Sequence, residues 1–376
     1  MPIRIGDYKT TTEDYEIVHK ILRSNQLSEG KYVREFEQKW ADFCGAKYCV
    51  LVNSGTSALI CALEALKTYN IGRKVLTTPI TFIATINAIV LSGYEPVFSD
   101  VNRETFTIEP CLNEADIFIP VHLYGYPVDM DKFNYKFMIE DAAEAHGTIY
   151  NGKKVGSIGI MGCFSFYVAH NISGGSDLGA VTTNSLEVYK ELKKIKAHGR
   201  MCECPVCKRL EGKCPYKDAG FDPRFTHTRI AYNLKTTEIS AALCFNQLAR
   251  AEETLKTRQT NVKYLNDGLA GLEELQLPKY DTNVSYLNYP VIIKDETIDR
   301  NGFLHRLTNA GIENRPFFAC IPTQQPAYAH LKERYEGKFP NAEWLGNRGF
   351  HLGCHQYLTK QELDTMIEAI KKCLSR

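Results

Sequence analysis

The amino-acid sequence predicts an α/β protein: a mainly parallel sheet in a large domain, followed by a small α+β C-terminal domain. Through the first two-thirds, short apolar runs rich in β-branched residues alternate with stretches of helical period. Strands joined by crossovers of that length pair in parallel and are covered by helices. From about residue 234 the alternation gives way to a long helical stretch and then a sparser mixture of strands and helices. The length agrees, since 376 residues exceed one small core and suit a large domain with a smaller appendage. The expected division is 1–245 and 246–376.

In chain order, YCVLVN (48–53) is a strand leading into the helix TSALICALEAL, and KVLTTP (74–79) leads into FIATINAIVL. EPVFSDV, ADIFIPVHL and KFMIED supply the next strands, then CFSFY and GAVTTN. The segment MCECPVCKRLEGKCPYKDAGFDPRFTH (201–227) is polar, irregular and cysteine-rich, and reads as an inserted loop. TTEISAALCFNQLARAEETLKTRQTNVKYLNDGL reads as one long helix entering the small domain. There NYPVII is a strand, and DRNGFLHRLTNAG and KQELDTMIEAIKKCL are helices.

Composition narrows the function. Lys+Arg 45 against Asp+Glu 44 leaves a formal net charge of +1, so there is no global field to draw nucleic acid or an anionic membrane, and a small-molecule ligand is expected. The uncharged run from Val75 to Tyr94 contains Pro79, Asn87, Gly93 and four threonines, and reads as protein interior rather than a membrane span. The start, MPIRIGDYKTTTEDYE, has no apolar stretch of the kind a signal peptide needs. Thirteen cysteines, an odd number, fit free thiols in a reducing cytoplasm better than a disulfide framework.

In parallel sheets ligands sit beyond the carboxyl ends of the strands, and chemistry-bearing residues collect there. Asn53-Ser54-Gly55-Thr56-Ser57 lies between a strand and a helix start, where Gly55 allows close backbone approach and free N–H groups and hydroxyls suit an anion. Asp141 ends one strand and Ser165 another, and Phe82 supplies a flat apolar wall. A phosphate cradle, a stacking aromatic and a carboxylate able to hold a pyridinium nitrogen together suit pyridoxal phosphate (PLP).

The ordered runs G-x-x-V-x-x-FE (30–37), V-N-SGTSAL (52–59), TPITFIATINAI (78–89), EPVFSDV (95–101), VHLYGYPVDMD (121–131), EDAAEAHG (140–147), GCFSFY (162–167) and YNLKTTEISAAL (232–243) resemble the DegT/DnrJ/EryC1/StrS family of sugar aminotransferases. The resemblance extends through GIENRPFF near the C-terminus. It implies a fold-type I PLP-dependent aminotransferase fold and a homodimer. It further implies that Gly55, Thr56 and Ser165 bind the cofactor phosphate, Phe82 stacks on the ring, Asp141 pairs with the ring nitrogen and Glu144 lies near the ring hydroxyl. Asn233 would reach the phosphate of the neighbouring subunit.

One position departs. The family's aminotransferases carry a lysine after S-F-Y that binds the cofactor covalently; here the run is Ser165-Phe166-Tyr167-Val168-Ala169-His170, and no lysine occurs between Lys154 and Lys190. Imidazole cannot form that bond, so the cofactor is expected to be held non-covalently, as pyridoxamine phosphate. Histidine, with a reference pKa of about 6.5, still moves protons near neutrality. The same replacement marks the family's 3-dehydratases, which the resemblance implies act on a nucleotide-linked 4-keto-6-deoxyhexose, with His170 as catalytic base.

Cys202, Cys204, Cys207 and Cys214 form C-x-C-x2-C-x6-C in a polar loop, a pattern that points to metal. Zinc and a 2Fe–2S cluster both use four thiolates. The resemblance to the ascarylose-type dehydratase, which draws electrons from a flavin-containing reductase, favours iron–sulfur. That enzyme takes a ligand where this chain has Ala143, so the loop would supply all four. The rival readings are a colitose-type dehydratase regenerated by glutamate, with structural zinc, and a catalytically silent binding protein. The missing lysine makes a prediction: borohydride treatment of the PLP-loaded protein leaves no cofactor on any active-site peptide, and a stoichiometric reduced lysine adduct would overturn non-covalent binding.

Overall fold

The computed structural model describes residues 2–202, 204 and 209–375. Two helices, α1 (Thr12–Ser24) and α2 (Lys31–Cys44), precede the first strand, β1 (Tyr48–Val52). Then come α3 (Gly55–Leu66), β2 (Lys74–Thr77), α4 (Ala84–Leu91), β3 (Glu95–Phe98), β4 (Ile117–Phe118) and β5 (Ile139–Asp141). A hairpin of β6 (Ile149–Tyr150) and β7 (Lys153–Lys154) is followed by β8 (Met161–Ser165), β9 (Gly179–Thr183) and α5 (Leu186–Ile195). β2 pairs in parallel with β3 and β4, and β5 in parallel with β8. Parallel bridges Phe118–Met138 and Val121–Asp141 join these groups. β9 runs antiparallel to both neighbours, β1 and β8. The spatial order is therefore β3-β2-β4-β5-β8-β9-β1. This is the expected largely parallel α/β sheet, and its strands are almost wholly buried, as they are where helices cover both faces.

The long helix expected after residue 234 is instead two helices, α6 (Glu238–Leu248) and α7 (Ala251–Leu269), with Arg250 at φ −110°, ψ 11° between them. The rest of the chain supplies β10 (Leu275–Gln276), β11 (Tyr289–Ile293), α8 (Arg300–Asn309), β12 (Asn314–Pro316), α9 (Lys332–Tyr335), α10 (Pro340–Arg348), β13 (Gly349–Leu352) and α11 (Lys360–Leu374). Its four strands form an antiparallel sheet in the order β10-β11-β13-β12. The helix break has a packing cause: α6 lies against α1 and α2, whereas α7 lies against α11. No straight helix serves both neighbours.

One apolar core runs through both sheets, from Val75 and Ile89 to Val291, Phe303 and Ile370. A second, under α2, is built on Phe36, Trp40, Phe164 and Phe166. Among the described residues no helix is long and apolar enough to cross a membrane.

The head of α2 has no side-chain cap of its own, since Gly30 stands at the N-cap. Glu238, in the first turn of α6, serves instead. Its carboxylate accepts the N–H groups of Gly30 at 2.6 Å, Tyr32 at 2.9 Å and Val33 at 3.0 Å. Only 3% of Glu238 is exposed, so water does not replace these bonds. Stranding buried backbone donors costs roughly 1–3 kcal/mol each before relaxation. Glu238→Ala is therefore expected to destabilise the protein by about 3 kcal/mol, measured as a lower urea midpoint.

Candidate active site

The carboxyl ends of β1, β5 and β8 meet the head of α3. Ser54 caps that helix, its Oγ accepting the N–H of Ser57 at 3.1 Å, and Ser57 Oγ donates to Asn53 Oδ1 at 2.6 Å. The N–H groups of Gly55 and Thr56 open the helix and have no acceptor within it. A Cβ on Gly55 would lie 2.6 Å from Ser165 Cβ and 3.1 Å from Ser165 Oγ. Glycine thus lets the end of β8 close on the helix head, and the hydroxyl of Ser165 stands beside the free amides. Such a concave set of donors at a helix N-terminus fits a phosphate.

Across the same strand ends, Asp141 is 5% exposed. Its Oδ2 accepts Thr85 Oγ1 at 2.8 Å and its Oδ1 accepts the N–H of Ala143 at 3.3 Å. Burial raises its carboxyl, and those two hydrogen bonds oppose the rise. Thr85 lies one helical turn beyond Phe82, whose ring is 59% exposed and 6.0 Å from that of Phe318. An uncovered aromatic face beside a buried carboxylate fits a protonated pyridine ring. Glu144 accepts the N–H of Tyr124 on Oε2 at 2.8 Å. Burial pushes its carboxyl up to about 7, against the Tyr124 bond and with help from the charge of Asp141.

His170 follows in the turn after β8. Its Nδ1 is 2.8 Å from the carbonyl oxygen of Ser165. A carbonyl only accepts, so Nδ1 carries the hydrogen and Nε2 is the basic nitrogen. Burial pushes the imidazole down to about 4, opposed by the Ser165 carbonyl and reinforced by the charge of Arg258. His170 is therefore neutral at physiological pH, with the lone pair on Nε2. The structure brings Gly55, Thr56 and Ser165 together, sets Asp141 beside the helix that Phe82 leads, and hangs His170 from the same strand end as Ser165. Asn233 is exposed on its own chain, beside Leu234, whose carbonyl accepts the N–H of Asn53 at 2.9 Å.

Three residues escaped the sequence reading: Thr85, Tyr124 and His146. The first orients Asp141, and the second holds Glu144. The third is a buried imidazole whose ring centre lies 5.9 Å from that of His170. All three stand inside the motif runs TPITFIATINAI, VHLYGYPVDMD and EDAAEAHG, which was the available signal.

The cysteine loop is less ordered chemically than its spacing promised. Among the described residues no three His, Cys, Asp or Glu side chains gather as a metal site. Cys202, Cys204 and Cys214, all partly exposed, thus do not converge, and Cys207 lies outside the described residues.

The chain is similar to the lipopolysaccharide biosynthesis protein RfbH of Salmonella typhimurium, 32% identical over 92% of this chain and 86% of that one. It is 30% identical to the dTDP-4-dehydro-2,6-dideoxy-D-glucose 3-dehydratase of Saccharopolyspora spinosa, over 100% of this chain and 87% of the relative. Its fold matches the E. coli GDP-4-keto-6-deoxy-D-mannose-3-dehydratase solved with bound hydrated PLP, at a TM-score of 0.86 and 24% identity, covering 98% of this chain and 99% of that one. The donors at the head of α3 and the buried Asp141 carboxylate thus sit in a PLP-dependent aminotransferase fold, and with residues 9–371 matched the chain belongs to the DegT/DnrJ/EryC1/StrS aminotransferase family.

Proposed function

We propose that this protein is a 3-dehydratase of a nucleotide-linked 4-keto-6-deoxyhexose, using pyridoxamine phosphate held without a covalent bond. The observation that carries the reading is His170, a neutral imidazole whose Nε2 has no hydrogen-bond partner among the described residues, at the place where a transaminase of this family needs an amine. The cofactor, when bound, supplies an amine for the sugar ketone and a ring that accepts electrons.

The chain's residues do the rest. The amides of Gly55 and Thr56, with the hydroxyls of Thr56 and Ser165, hold the phosphate. Asp141, oriented by Thr85, keeps the ring nitrogen protonated, and Phe82 covers one ring face. His170 accepts a proton at Nε2 and, as imidazolium, delivers it to the hydroxyl leaving C3, so that water departs rather than hydroxide. Asn233, exposed on its own subunit, is assigned to the phosphate site of a second copy in a homodimer.

The cysteine loop is proposed as a metal-binding segment, with a 2Fe–2S cluster fed by a flavin-containing reductase as the first assignment. Its support is the spacing of Cys202, Cys204, Cys207 and Cys214 together with the family resemblance. Because the three described thiols are not gathered, no step of the dehydration is derived through them. Loss of the C3 hydroxyl as water needs no net electrons, so a cluster has a use only in reducing the dehydrated product. That absence of an electron demand in the dehydration itself supports a second reading, a colitose-type dehydratase regenerated by glutamate, with structural zinc in the same loop.

Two measurements test these assignments. His170→Asn should bind PLP normally yet lose C3–O cleavage by roughly 10²–10⁴-fold; near-normal dehydration would move the catalytic role elsewhere. Anaerobically purified protein should carry about two irons and two sulfides per chain, and Cys204→Ser should lose them. Zinc, or turnover sustained by glutamate in metal-free protein, establishes the second reading.

A further inference from the structure

Asp141 and Glu144 lie three residues apart in one motif, yet they are satisfied differently. Asp141 accepts two hydrogen bonds, from Thr85 Oγ1 and the N–H of Ala143. Glu144 accepts one, from the N–H of Tyr124. No lysine or arginine pairs with Glu144 among the described residues. The groups facing it are the Asp141 carboxylate and the Tyr124 phenol, with His122 behind Asp141 and turned to Glu140 at 3.3 Å. None of these groups sets a lysine or arginine cation against Glu144, and the His122 ring is engaged elsewhere, its Nδ1 accepting the N–H of Val128 at 3.1 Å.

The single donor is held rigidly. Tyr124 sits at φ 53°, ψ 17°, a left-handed conformation that a non-glycine residue keeps only when its surroundings enforce it. Its hydroxyl bonds His351 Nδ1 at 2.9 Å, and its carbonyl accepts the N–H of Leu287 at 3.2 Å. One carboxylate oxygen of Glu144 is thereby pinned, and the other has no donor among the described residues.

A 3-hydroxypyridine protonated at nitrogen carries an ionised ring oxygen at neutral pH. Facing that oxygen, a carboxylate repels and a carboxylic acid donates. We propose that Glu144 holds the cofactor in its protonated form, donating a hydrogen bond to the ionised ring oxygen, so that cofactor binding above neutrality takes up one proton from solvent. The inference rests on the cofactor reading of Asp141 and Glu144. Two carboxyl groups of one motif then work in opposite charge states: an anion opposite the ring's cationic nitrogen, and a neutral acid opposite its anionic oxygen. The rise of Glu144 to about 7 places the exchange in an accessible pH range.

The test is binding, not turnover. PLP is titrated into cofactor-free full-length protein between pH 6 and 9, for wild type and Glu144→Gln, whose amide donates at every pH. The ligand's own titrations are common to both proteins and cancel in the comparison. Wild-type affinity should fall by up to about tenfold per pH unit above neutrality relative to the variant. Calorimetry in two buffers of different ionisation enthalpy should show greater proton uptake by wild type at pH 8. Parallel pH profiles with equal proton uptake overturn the proposal. Failure of PLP to bind wild type at any pH overturns the cofactor reading and the proposal with it.

Discussion

The site depends on a missing side chain. Where Gly55 stands, any other residue would place a carbon 2.6 Å from Ser165 Cβ, forcing the helix head away from the end of β8. The closeness of these two elements puts the amides that open α3 beside a serine hydroxyl. It also sets where the following turn leaves the sheet. Because His170 hangs from the Ser165 carbonyl, the proposed base and the proposed phosphate cradle share one anchor. A disturbance at Gly55 reaches the His170 imidazole through a single residue.

Around that anchor, loss of water rather than ion pairing sets charge. Burial drives His170 down to about 4 and Glu144 up to about 7. Both shifts favour the neutral form, as a low-dielectric site requires. Asp141 is the exception in design: Thr85 and Ala143 supply it with the donors an ionised carboxylate needs. The geometry thus separates one group suited to stay charged from two suited to trade protons.

Much of this was legible in sequence because it follows from periodicity and from strand ends. Most strands read as short apolar runs since both faces are buried, and Gly55, Asp141 and Ser165 stand at or just past their ends. The break between α6 and α7 was not legible: no glycine or proline marks it, and its cause is the position of α2 and α11. The reversal of β9 was equally hidden, because GAVTTN has the same apolar character whichever way it runs. Tyr124 was missed for a related reason, since a left-handed tyrosine is imposed by its neighbours, not by its own preference. The cysteine spacing was legible as a pattern, but spacing along a chain does not determine whether thiols converge in space.

The carboxylate of Glu238 closes a contact between residues 208 positions apart when it binds Gly30. At about 5–20 residues per second, α2 leaves the ribosome roughly 10–40 s before its cap has been synthesised. β1 waits similarly for β9, its hydrogen-bonding neighbour more than a hundred residues later. The first fifty residues therefore emerge without the partners that complete them, exposing the apolar faces that later bury Phe36 and Trp40. A nascent chain built this way depends during synthesis on whatever shields that surface, and premature termination before α6 yields a product with no finished N-terminal layer.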